Sequence, residues 1–92
     1  MDAGRVRTSP LVRASISDDG LVLLDVGGGL VLASNAVGAR IWQLIEQGRT
    51  PQDIARQLAD DYGVALDRAG GDVAAFVSAL VDRGLVTQEP PC

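Results

Sequence analysis

Hydrophobic positions along this chain follow two different periods, and the change falls at residue 35. Before it, Val12, Ala14 and Ile16 alternate with Arg13, Ser15 and Ser17, the period of two that marks a half-buried strand. Asp18-Asp19-Gly20 is a turn signal. Leu21 to Val26 reads as a second strand, Gly27-Gly28-Gly29 as a turn, and Leu30 to Ala33 as a third strand. Connections this short favour an antiparallel meander in the order one, two, three. The alternation sets Val22, Leu24 and Val26 towards a core, with Leu21 and Leu23 pointing away. Leu30 and Leu32 fall on one face of the third strand, Val31 and Ala33 on the other. A sheet covered on one side should carry a polar second face, and this one is largely apolar. Either a terminal segment covers it, or it meets another chain.

From Ser34 onwards the spacing becomes helical. Ser34 or Asn35 can cap a first helix whose Val37, Ile41, Leu44 and Ile45 form an apolar stripe, with Trp42 beside it as a core residue and Gly48 just past its end. Thr50-Pro51-Gln52-Asp53 is a helix start, with the cap at Thr50, proline at the first helical position and an acid near the positive end of the dipole. Ile54, Leu58 and Tyr62 give the second helix its apolar face, and Gly63 ends it. Val64 and Leu66 read as anchors in the link. Asp67 can cap a third helix that runs to Arg83 over a stripe of Val73, Phe76, Val77 and Leu80, with Gly84 as its stop. Gly70-Gly71 sits badly in that helix, since each glycine costs about 1 kcal/mol relative to alanine. A start delayed to Asp72 is the simpler reading, and soft first turns are the alternative. Residues 1–10 read as a loose lead-in. Leu85 and Val86 fold back onto the body before Gln88-Glu89-Pro90-Pro91 frays.

Composition narrows the function more than it narrows the fold. Ninety-two residues with 47% hydrophobic content make one domain over 1–92, with its ordered core at about 11–87. The net charge of −4 argues against nucleic acid, whose binders carry a basic footprint. No apolar run is long enough to span a bilayer, and the polar first ten residues lack the apolar stretch of a signal peptide. The lone cysteine, Cys92, cannot form an internal disulfide, which fits a reducing cytoplasm. With no histidine, the chain offers no metal, haem or iron–sulfur ligand set and no Ser/His or Cys/His pair. The triglycine turn lacks the Lys-Ser/Thr ending of a phosphate loop. Asp18-Asp19 and Asp60-Asp61 are carboxylate pairs in a turn and on a solvated helix end. No enzyme activity and no cofactor are expected.

Four blocks carry a family resemblance. They are Asn35-Ala36-Val37-Gly38-Ala39-Arg40-Ile41-Trp42-Gln43-Leu44, then Gly48-Arg49-Thr50-Pro51-Gln52-Asp53-Ile54, then Leu58 to Val64, then Asp72-Val73 to Phe76 with Leu80 to Val86. Their order and spacing resemble the PqqD family, the small leader-recognition domains of peptide natural-product biosynthesis, over about Val12 to Val86. The Gly-Ala-Arg-Ile-Trp block is most similar to the free-standing leader-binding proteins of lasso peptide pathways. The resemblance implies an α+β, winged-helix-like fold, with a three-stranded antiparallel sheet packed on three helices. It also implies that the leader of a precursor peptide adds as a strand to the third strand, in a groove beside the third helix. The domain would then present the precursor to a maturation enzyme, in lasso systems a leader peptidase or a cyclase. Gly70-Gly71 departs from the helix formers expected in the family.

The residues and the resemblance meet at one edge. In a meander the third strand has an open side, and Leu30, Val31, Leu32 and Ala33 carry no lysine or proline that would block pairing. Strand addition draws affinity from main-chain bonds and specificity from side-chain pockets. The exposed side of the third helix, around Ala69, Val73, Phe76 and Leu80, could supply those pockets, although Phe76 and Leu80 can equally be core. The expected partners are a leader peptide and a maturation enzyme, with no nucleic acid and no membrane, and the domain is expected as a monomer or weak dimer. Two other classes fit the pattern. One is a homodimer pairing through the same edge. The other is a DNA-binding winged helix, which the acidic third helix (Asp67, Asp72, Asp82) disfavours.

Overall fold

The computed structural model describes residues 6–26 and 29–88. Its elements are β1 (Val6–Thr8), β2 (Val12–Ser17), β3 (Gly20–Asp25), β4 (Gly29–Asn35), α1 (Ala36–Glu46), α2 (Pro51–Tyr62), α3 (Leu66–Asp82) and β5 (Val86–Gln88). β2, β3 and β4 form the expected antiparallel sheet in that order, so β4 is an edge. This is the α+β fold expected from the sequence, with three helices beside a three-stranded meander; the winged-helix likeness is loose.

The chain before β2 is more than a lead-in. Val6–Thr8 pairs antiparallel with Val86–Gln88 as a second, two-stranded sheet, and Val6 and Val86 are both buried. Ser9 N–H adds a bond to Leu85 O at 2.9 Å. Three residues are too few for period-two alternation to register, and their partner lies at the other end of the sequence. Gly27 and Gly28 of the expected turn, and Glu89 to Cys92 of the expected frayed end, lie outside the described residues.

The sheet presents to the helices the face opposite to the one the alternation suggested. Leu21 and Leu23 are 2% and 0% exposed, whereas Val22, Leu24 and Val26 are 36%, 41% and 63% exposed. Both sets are apolar, so parity alone could not choose between them. α1 decides: it packs on β3 and β4, and its Ile41, Trp42, Leu44 and Ile45 join Leu21 and Leu23 in the core. β2 lies largely outside that cover, and even Ile16, opposite Leu21, stays exposed.

Helix starts and stops follow their side chains. Asn35, rather than Ser34, caps α1, its Oδ1 accepting from Gly38 N–H at 3.0 Å. Thr50 Oγ1 accepts from Asp53 N–H at 3.3 Å, with Pro51 at the first helical position of α2. Gly63 and Gly84 stop α2 and α3 in left-handed backbone, at φ 63° and 72°. Three expectations change in this half. Tyr62 and Leu66 are exposed, because Ile54, Ala55 and Leu58 already fill the contact with α3. α3 begins at Leu66 behind Ala65, with no side-chain cap, so Asp67 lies in the first turn. α3 also runs unbroken through Gly70-Gly71 and does not wait for Asp72. Its packing against α2 and β5 outweighs the propensity cost.

Those two glycines make a direct prediction. A Cβ built on Gly71 meets nothing within 4 Å, and the residue is exposed within a regular helix. Gly71→Ala should therefore stabilise the domain by about 0.5–1 kcal/mol. For a domain of this size that is a rise of roughly 2–8 °C in melting temperature. A lower melting temperature would mean that the start of α3 is not helical.

Candidate functional site

The open edge of β4 can be assigned residue by residue. Val26 N–H donates to Leu11 O at 2.9 Å. The β2–β3 register pairs Val12 with Asp25, so its continuation sets Leu11 opposite Val26. Only alternate pairs of an antiparallel ladder exchange main-chain bonds. Counting back along β3, Leu24 and Val22 bond β2, which leaves Leu23 and Leu21 to bond β4 through their partners Leu32 and Ser34. Ala33 lies between these two and turns its N–H and C=O away from the sheet, where no strand among the described residues pairs with it.

The edge is not a plain alternating strand. Leu32 stands opposite Leu23 and Leu30 opposite Leu24, so Val31 is an extra residue where the register shifts. Simple parity therefore does not carry across residues 30–32. A bulge bends its strand and increases the local twist.

Beside the last residues of β4 lies a groove of about 440 Å³. Ser34 and Asn35, the last residues of β4, line it. Val37, Gly38 and Ile41 of α1 form one wall, and Asp72, Ala75, Phe76 and Ala79 of α3 form the other. Each wall is a stripe at helical spacing, so the groove runs along the two helices. Gly38 is what lets its sides approach. A Cβ there would overlap Ser34 Oγ and press on Phe76 Cε1 at 3.1 Å.

Of the four α3 residues expected to form the pockets, only Phe76 reaches this groove. Phe76 is half-buried and packs against the core with one side. Ala69, Val73 and Leu80 are fully buried, so the expectation that they form an exposed wall is corrected. They lie on the side of α3 that packs towards α2 and β5. Asp72, Ala75 and Ala79 take their place. The sequence carried that signal at i, i+3, i+4 and i+7 through Phe76, but Ala75 and Ala79 hide it, because alanine is often fully buried and does not mark an exposed wall. A separate cavity of about 290 Å³ lies between α2 and α3, lined by Pro51, Ala55, Leu66, Gly70 and Val73 among others, away from β4.

The carboxylate pairs are accounted for structurally or lie in solvent. Asp61 accepts from Arg40 Nε at 3.3 Å and from Gln57 Nε2 at 2.9 Å, tying α2 to α1. Asp18 and Asp19 form the exposed β2–β3 turn. Among the described residues no cluster of acidic or thiol side chains could hold a metal ion. Nor is any helix among them long and apolar enough to cross a membrane.

Known proteins share the fold. The family described as "Coenzyme PQQ synthesis protein D (PqqD)" matches residues 20–86. The chain belongs to the PqqD family. The matched stretch runs from β3 to the start of β5, so the edge strand, the groove and all three helices fall within the PqqD homology. Two solved structures share the PqqD-like fold at 32% sequence identity. One is described as "TbiB1 in Complex with the TbiA(beta) Leader Peptide", with TM-score 0.79 over 87% of this chain and 93% of that one. The other is described as "Lasso peptide synthetase B1 complexed with the leader peptide", with TM-score 0.80 over 90% and 98%. A comparison with curated proteins gives no match.

Proposed function

We propose that this chain is a non-catalytic adaptor for a ribosomally made precursor peptide. It binds the leader as a further strand on the open edge of β4, along Leu30–Ala33, and presents it to a maturation enzyme such as the leader peptidase or cyclase of a lasso peptide pathway. The observation that carries this reading is the outward main chain of Ala33 next to a largely apolar groove. Strand addition needs both parts: main-chain groups for affinity and a side-chain wall for selection. Phe76 supplies the wall, while Ala69, Val73 and Leu80 hold α3 in position behind it. Two relatives of the same fold, each solved with a leader peptide, support the same partner class. No step of bond making is assigned to the domain; its contribution is to hold an extended peptide in register.

The test is an amide-resolved titration with the leader segment of a lasso precursor peptide. Saturable shifts should concentrate on Ala33, Asn35, Gly38 and Phe76, with β1 and β5 little changed. No saturable binding, or shifts confined to β1 and β5, would contradict the assignment.

A further inference from the structure

Among the described residues that line the groove, one has an ionisable side chain, Asp72, at the start of the α3 wall. Every other lining group is apolar or neutral: Ser34, Asn35, Val37, Gly38, Ile41, Ala75, Phe76 and Ala79. Asp72 is exposed and has no hydrogen-bond or ion-pair partner among the described residues. Its carboxylate is therefore available to whatever enters the groove. We propose that the peptide bound here carries a lysine or arginine that meets Asp72, set two positions from an apolar side chain that meets Phe76. This rests on the reading that β4 and the groove bind a peptide strand.

The spacing follows from two rises. Asp72 and Phe76 are four residues apart on one face of α3, which is about 6 Å along the helix axis at 1.5 Å per residue. An extended peptide covers about the same distance in two residues, at roughly 3.3 Å each. Residues i and i+2 of a strand also share a face, so both side chains can turn into the groove together. A cation at that place is selected by charge, and an acidic side chain there is rejected by the same carboxylate. The apolar remainder of the wall gives no preference among Leu, Ile, Val and Phe beyond size.

A displayed library of random linear peptides, selected on the immobilised full chain, tests this whatever the natural partner is. Enriched peptides whose binding shifts the Ala33 amide should carry Lys or Arg two positions from an aliphatic or aromatic residue. Asp72→Asn should bind them up to about fivefold more weakly, the ceiling for an exposed ion pair, with the difference shrinking at high salt. Asp72→Lys should switch the enriched residue to Glu or Asp. Asp72 is solvent-exposed, so both variants should melt like the wild type. Peptides that shift Ala33 yet show no cation at this spacing would overturn the Asp72 assignment and leave strand addition standing. If no enriched peptide shifts Ala33, strand addition itself falls, and the Asp72 assignment with it.

Discussion

Leu23→Ala is expected to lower the melting temperature by roughly 10–30 °C, while Leu24→Ala, one residue away in the same strand, changes it little. Leu23 is 0% exposed in the middle of β3, under α1 and beside Leu21 and Leu44 in the core. Truncating a leucine in such a place costs about 2–5 kcal/mol, because the transfer energy is lost and the cavity closes only partly. A small domain has about 5–15 kcal/mol in total, so Leu23→Ala removes a large part of it. Leu24 lies on the outer face at 41% exposure, where substitutions usually stay within about 0.5 kcal/mol. Thermal melts of the two variants, followed by far-UV circular dichroism, decide it. The reverse order would mean that the sheet turns its other face to the helices, and the edge assignment at Ala33 would have to be rebuilt.

This pair also marks where the sequence was ambiguous. The three helices and most of their ends were legible, because those signals are local chemistry. Thr50 and Pro51 at a helix start, and Gly63 and Gly84 at helix ends, each answer a main-chain need that the neighbouring residues create. The order and antiparallel sense of the three-stranded sheet were legible for the same reason, from the turns that join its strands. The inward face of β3 was not, since Leu21 to Val26 is apolar on both parities and the choice belongs to α1. The β1–β5 pair was hidden by its length and by the separation of its strands. At the site, the edge strand could be named from topology, but the bulge at Val31 could not, because nothing in Gly29–Asn35 announces an extra residue. The groove wall slipped by part of a turn. Apolar size pointed to Val73 and Leu80, which are core, and passed over the alanines and Asp72 that line the opening.

Two proline substitutions at neighbouring positions should separate folding from binding. Leu32 bonds inward to Leu23 by the alternation above, and its side chain packs against the core. Leu32→Pro removes that N–H and leaves its acceptor on β3 unpaired, at a cost of about 1–3 kcal/mol beyond the lost packing. The matched control, Leu32→Ala, lacks the packing alone, so the difference in melting temperature between the two reports the ladder bond. Ala33 directs its main chain outward from an edge strand, a place where proline is tolerated. Leu32 before it already has the extended backbone that proline requires of its predecessor. Ala33→Pro should therefore stay folded, melting close to the wild type.

The most direct test of strand addition is the affinity of Ala33→Pro for the leader peptide, measured by titration calorimetry on a variant whose melt is unchanged. The substitution removes one main-chain donor from the open edge and places ring atoms where the incoming strand must lie. Binding should weaken at least about tenfold, or 1.4 kcal/mol, relative to the wild type. A folded Ala33→Pro that binds the leader as tightly as the wild type would contradict strand addition at β4.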